Sequence, residues 1–282
     1  MDLADDHFSL TGANGALIRG DMYLPEAANP PLVAVIPGFK GFKDWGFFPW
    51  LSAHLAQAGI AVACINLSHC GIGANPETFE RLDLFEGDTW SKRLFDIQQV
   101  LNAAQLGLLT QKASPNPARL GLLGHSMGGG AALLAADKDP RVGSVVTLAG
   151  VAHANRIPED VARAQLAAMG HVAVENARTK QTMRIGREFF EEVWANPHAF
   201  GVIDAARSLT VPWLIVHGAD DETVPLNEAY ELLEAGGDRD NVKMLTLDGA
   251  GHTFGAGHPF QGPSIELERA VDAAAAHFLR TL

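Results

Sequence analysis

The stretch Leu120-Gly121-Leu122-Leu123-Gly124-His125-Ser126-Met127-Gly128-Gly129-Gly130-Ala131 decides how this chain is read. An apolar run ends at His125, a single hydroxyl follows at Ser126, and three glycines come almost at once. The first run suits a strand covered on both faces, and the alanine- and leucine-rich run after it suits a buried helix. Gly124-His125-Ser126-Met127-Gly128 fits G-x-S-x-G, in which the serine sits on a sharp strand-to-helix turn and the glycines let the two elements approach closely. The helix N-terminus then offers free N–H groups to negative charge developing near the serine. Glycine-rich turns after strands also bind phosphates. This chain, however, has no G-x-x-x-x-G-K-[ST], and Gly71-Ile72-Gly73-Ala74-Asn75-Pro76 lacks the third glycine of a dinucleotide loop.

Working outward, short apolar runs over residues 31–38, 60–67, 119–125, 142–150, 211–218 and 241–247 read as strands. Most are apolar throughout rather than alternating, as strands with both faces covered should be. Trp90, Leu94, Ile97, Leu101, Ala104 and Leu108 recur at helical spacing, as do Leu267, Val271, Ala275 and Phe278. A further helix is bracketed by Pro225 and Gly236. Residues 7–25 read as antiparallel strands turning at Asn14-Gly15. Alternation of strands and helices predicts an α/β fold with a mainly parallel central sheet of about eight strands and helices on both faces. The interval between Gly150 and Val211 is too long for one crossover helix; two helical patterns flank a more polar stretch there. The expected division is a core of residues 1–152 and 209–282 with an inserted helical cap over residues 153–208.

A chain of 282 residues with 47% hydrophobic content can bury a sizeable core. The net charge of −12 argues against nucleic acid or an anionic membrane as partner, since both require Lys and Arg to neutralise phosphates. Cys64 and Cys70 lie too far apart in an extended segment to bridge and match no metal spacing. The acidic first ten residues do not read as a signal peptide, and the apolar runs fall short of the roughly 18 residues a membrane span needs. A cytoplasmic protein is expected, monomeric or homodimeric, acting on a small molecule.

A serine hydroxyl is a poor nucleophile and needs a base, itself oriented by an acid. Downstream, the strand ending in Val216-His217-Gly218 leads into Ala219-Asp220-Asp221-Glu222-Thr223-Val224-Pro225. The next strand leads into Asp248-Gly249-Ala250-Gly251-His252. Serine, aspartate and histidine thus follow three strands, at the edge where parallel sheets build their sites.

In these segments, and in their order along nearly the whole chain, the sequence resembles the α/β-hydrolase family. Pro37-Gly38-Phe39-Lys40-Gly41-Phe42-Lys43-Asp44 and the cap length are similar to the branch of dienelactone hydrolases and prolyl-oligopeptidase-type catalytic domains. The resemblance implies a serine hydrolase without cofactor or metal, acting on a small-molecule ester. Ser126 would be the nucleophile, His252 the base and Asp221 the acid, with Asp220 and His258 as the rivals. The backbone N–H groups of Phe39 and Met127 would form the oxyanion hole. Pro37 stands where many members carry histidine, which leaves the Phe39 amide available. Peptidase, thioesterase and lactonase activity are the alternatives, followed by a binding protein without catalysis. Lys40, His69 and Trp45 are candidates for touching substrate; Met169, Met183, Phe189 and Trp194 could face the site from the insertion. His125 and His217 read as structural, and Glu222 as a helix cap.

Overall fold

A computed structural model describes residues 3–237 and 239–282. In chain order the elements are β1 (Asp6–Thr11), β2 (Leu17–Tyr23), β3 (Leu32–Ile36), α1 (Phe48–Gln57), β4 (Ala61–Asn66), α2 (Leu82–Glu86), α3 (Trp90–Gln105), β5 (Leu120–His125), α4 (Met127–Lys138) and β6 (Val142–Leu148). There follow α5 (Glu159–Met169), β7 (His171–Glu175), β8 (Thr182–Gly186), α6 (Arg187–Ala195), α7 (Val202–Ser208), β9 (Trp213–Gly218), α8 (Leu226–Gly236), β10 (Val242–Leu247) and α9 (Ile265–Thr281).

Eight strands form one sheet in the order β1-β2-β4-β3-β5-β6-β9-β10. β1 pairs antiparallel with β2, turning through Asn14 and Gly15, both at positive φ. β2 pairs antiparallel with β4, and every other neighbour is parallel. The apolar strands divide their side chains between two cores. In β3, Leu32, Ala34 and Ile36 face the layer of α3, α4 and α8, while Val33 and Val35 face the layer of α1 and α9. Leu122 and Leu123 of β5 split the same way. Such strands have no solvent face, so a period-two polar pattern has no place in them.

β3 is flanked by β4 on one side and β5 on the other, so the chain reverses its direction of travel across the sheet there. Loops leaving two such strands diverge and open a crevice at their carboxyl ends. The loops that meet in this crevice are those after β3 and β5, which carry Phe39 and Ser126.

Between β6 and β9 the chain differs from a purely helical cap. The polar stretch between α5 and α6 is an antiparallel hairpin, β7 with β8, paired from His171↔Gly186 to Glu175↔Thr182. The last helix of the interval, α7, packs against α4 and α8 and takes the place of an ordinary crossover helix on the sheet. Among the described residues no helix is long and apolar enough to cross a membrane.

Candidate active site

Ser126 joins β5 to α4 at φ 57° and ψ −122°. That backbone region is disfavoured for any residue but glycine, at a cost on the order of 1–3 kcal/mol, and it persists only where the surroundings enforce it. Here the Ser126 N–H donates to Leu148 O at 2.9 Å, and its carbonyl accepts from the amides of Gly129 at 2.9 Å and Val151 at 3.2 Å. The glycines are required by proximity. A Cβ on Gly124 would lie 2.1 Å from Gly128 O, and one on Gly128 would lie 2.1 Å from Ile36 O. The joint is stripped of side chains because two backbones cross in it.

The loop after β3 lies directly against this turn: a Cβ on Gly38 would meet Ser126 Cβ at 2.8 Å and His125 O at 2.9 Å. The N–H groups of Phe39 and Met127 have no hydrogen-bond partner among the described residues. Two free donors therefore flank Ser126, one from each strand at the switch point.

Asp221 and His252 meet from the loops after β9 and β10. His252 Nδ1–H donates to Asp221 Oδ2 at 2.8 Å. Asp221 Oδ1 accepts from the amides of Thr223 and Val224, each at 2.8 Å. Burial pushes this carboxyl up, but the bonds from His252, Val224 and Thr223 outweigh it and hold Asp221 below the ordinary aspartate range. Asp220 is exposed, while Asp221 is buried. Glu222 is exposed and α8 has no side-chain cap, so the turn before that helix is held by Asp221 instead. Among the described residues the Ser126 hydroxyl makes no hydrogen bond to His252 or to any other side chain. Such a bond is often long in a free enzyme and tightens on substrate binding.

The neighbouring histidines brace this arrangement. His125 Nε2–H donates to the carbonyl of His252 at 3.0 Å, and the two ring centroids are 4.8 Å apart. His217 Nε2–H donates to Val224 O at 2.8 Å and lies 3.5 Å from Asp221 Oδ2, while its buried Nδ1 has no partner. His258 accepts from the Gly46 amide at 2.9 Å and stacks on Trp45, and it is not among the groups bonded to the Asp221 carboxylate.

A cavity of about 270 Å³ opens beside Ser126. It is lined by Phe39, Met127 and Trp90, by Val174, Ile185 and Phe189 from the segment between β6 and β9, and by the loop after β6 from Val151 to Ile157. Lys40, His69 and Trp45 do not line it. Lys40 Nζ donates to the carbonyl of Glu175 at 3.3 Å and ties the loop after β3 to the hairpin. His69 is buried and bonded to Ser68 Oγ at 2.8 Å, and Trp45 is engaged by His258 and Phe47. Of the four residues expected above the site, Phe189 reaches the cavity; Met169 is exposed, Met183 is buried beside Phe42 and Phe79, and Trp194 lies under Arg163. Sequence reading missed Asn155 and Arg156. Their signal was positional: they follow a parallel strand at its carboxyl end, where sites are built. Among the described residues no group of three or more His, Cys, Asp or Glu side chains is arranged to hold a metal ion.

Burial also sets how the fold responds to acid. It pushes His125 down to about 3, His69 to about 4 (with Lys92 and Arg93 adding to the effect) and His277 of α9 to about 4. Each ring stays neutral in the folded chain but takes a proton in the unfolded chain once pH falls below about 6.5. Their contribution to stability is fully present above that value and is lost as pH falls toward about 4, at about 1.4 kcal/mol per pH unit per ring. The urea midpoint is expected to drop steeply between about pH 6.5 and pH 5. A flat midpoint over that window would contradict neutral, buried rings.

The model of the alpha/beta hydrolase family matches residues 33–262, and the chain belongs to that family. No curated protein matches the sequence. Among solved structures the chain is similar to the esterase domain of a Rhodothermus marinus protein, at 20% identity over 96% of each chain with a TM-score of 0.65. It is similar to Est1E from Butyrivibrio proteoclasticus at 19% identity over 98% of each chain, with a TM-score of 0.69. It also resembles a Mycobacterium tuberculosis puromycin-hydrolyzing peptidase, at 18% identity and TM-score 0.68, over 98% of this chain and 39% of that one. At these identities the likeness is one of fold.

Proposed function

We propose that the protein is a serine hydrolase that cleaves carboxylic esters of small molecules through an acyl-enzyme. The observation that carries this reading is the 2.8 Å bond from His252 Nδ1 to Asp221, beside a serine held at φ 57° under a loop with a free amide. Ser126 Oγ attacks the ester carbonyl carbon, and His252 Nε2 takes the hydroxyl proton. The carbonyl π electrons move onto oxygen, where the N–H groups of Phe39 and Met127 receive the charge. As the intermediate collapses, the C–O bond to the alcohol breaks and His252 returns its proton to the departing oxygen. Water then repeats the sequence on the acyl-enzyme and releases the acid. Asp221 holds the imidazole in the tautomer with Nε2 free and stabilises the imidazolium that forms. The cavity lined in part by the hairpin and α6 takes the acyl group.

Two measurements test this together. A fluorophosphonate should label the protein covalently at Ser126, and p-nitrophenyl esters ranked by acyl length should be cleaved with a defined optimum. The matching anilides should be cleaved much more slowly, since an amide is the harder acyl bond to break. Faster cleavage of the anilides would move the protein to the peptidases, and absence of both labelling and turnover would remove the proposal.

A further inference from the structure

The cavity beside Ser126 is not apolar throughout. Its polar side chains beyond Ser126 come from one short segment, His153, Asn155 and Arg156, in the loop after β6. His153 is half exposed and bonded to Glu231 Oε2 of α8 at 2.8 Å. Arg156 is held differently. Its Nε donates to Glu228 Oε1 at 3.0 Å, and its Nη2 donates to Thr223 O at 2.6 Å and lies 2.9 Å from Glu228 Oε1. Glu228 is buried, and its other oxygen accepts the Ala152 amide at 2.9 Å. The guanidinium is thus fixed before any ligand arrives, and little side-chain entropy is left to lose on binding.

Holding Glu228 occupies Nε and Nη2. Nη1 carries two N–H groups with no partner among the described residues. Asn155 Oδ1 accepts the Ile157 amide at 3.1 Å, which orients the side chain and leaves its Nδ2 without a partner among the described residues. Two prepositioned donors on consecutive residues therefore border an otherwise apolar acyl cavity. The charge of Arg156 is already matched by Glu228, and Glu231 lies near by on the same helix. A carboxylate entering here would add unmatched negative charge; a neutral oxygen would not.

Resting on the serine-esterase reading, we propose that the acyl chain accepted by this cavity carries a neutral hydrogen-bond acceptor oxygen toward its far end, taken by Arg156 Nη1 and Asn155 Nδ2. An ether, ketone or hydroxyl oxygen meets the requirement. A plain alkyl chain of equal length would displace water from both donors and give nothing back, and a site built to hydrogen-bond a substrate oxygen disfavours the analogue that lacks it.

The test uses paired p-nitrophenyl esters, ω-methoxyalkanoates against alkanoates with the same number of heavy atoms. A third series, monoesters of dicarboxylic acids, ends in a carboxylate. Rates are expressed per active site titrated with fluorophosphonate. For the wild-type protein the ether-to-alkyl ratio of kcat/KM is expected to peak at one chain length, at about tenfold or more, the size of a hydrogen bond from a charged donor. In the double variant Arg156→Met/Glu228→Gln the ratio should fall severalfold, since only Asn155 Nδ2 is left to meet the oxygen; the side-chain amide oxygen that replaces the carboxylate can still accept the Ala152 N–H. Should that variant fail to fold, Arg156→Lys preserves a cation opposite Glu228 but lacks the fork, and its ratio should fall severalfold. A flat wild-type ratio while alkyl esters are still cleaved would overturn this inference and leave the esterase reading standing. So would a ratio that survives both variants, or fastest turnover of the carboxylate series. Failure of every ester together with absence of labelling would remove the esterase reading itself, and this inference with it.

Discussion

Ser126→Ala is expected to lower ester hydrolysis by about 10⁵-fold or more and to abolish fluorophosphonate labelling, while the protein still folds. The size follows from the role. Without the hydroxyl no acyl-enzyme can form, and what remains is whatever rate the two free amides and the cavity confer on attack by water. The backbone adds a second readout that a purely structural serine would not predict. Ser126 sits at φ 57°, and a side chain there costs roughly 1–2 kcal/mol relative to glycine. Ser126→Gly should therefore be as inactive as the alanine variant yet melt at a higher temperature than either. An alanine variant that labels normally, or retains more than about a hundredth of the rate, would show that the nucleophile lies elsewhere.

Much of this site was legible because it is built at strand ends, and the strands announce themselves. Leu32 to Ile36 and Leu120 to His125 read as doubly covered strands because the molecule buries both of their faces, in two separate cores. Once the strands are placed, Ser126, Asp221 and His252 fall on the loops that follow three of them, and topology brings those loops to one edge. The hairpin inside the insertion escaped for a physical reason. Val172 and Val174 alternate with half-buried or exposed neighbours, as do Met183 and Ile185, but each run is five residues long. A pattern that short weighs little beside the longer helical stripes on either side of it.

Side-chain direction was the other limit. Lys40 stands next to Phe39 on the loop over Ser126, which suggested contact with substrate, yet its ammonium is spent on the carbonyl of Glu175, 135 residues away. Trp45 is taken up by His258 in the same manner. Arg156 shows the reverse case. Nothing local marks it, because the group that holds it in place, Glu228, lies in α8 some 72 residues on. Loops can be assigned to an edge from pattern alone, but which of their side chains face the cavity depends on partners that the fold supplies.

Asp221→Asn is expected to reduce kcat by about 10³–10⁴-fold, while Asp220→Asn should change it by less than about threefold. The carboxylate is held from both sides. Oδ1 takes the amides of Thr223 and Val224, and Oδ2 takes the Nδ1–H of His252. An asparagine at this position can turn its oxygen toward only one of these. Two backbone donors outweigh one ring donor, so the amide oxygen will face Thr223 and Val224 and the NH₂ will face His252. The imidazole must then accept at Nδ1, which places its proton on Nε2, the nitrogen that has to receive the hydroxyl proton of Ser126. The variant should keep its fold, since both backbone bonds survive, and it should still bind substrate, so KM should change little. Asp220 is exposed and reaches none of these donors through its side chain, and its substitution serves as the control for charge alone. If both variants lost activity equally, the effect would be one of net negative charge near the loop, and the tautomer argument would fail. If Asp221→Asn retained more than about a tenth of the rate, His252 would have to be oriented by another group, and His125, whose ring centroid lies 4.8 Å from that of His252, would be the first to test.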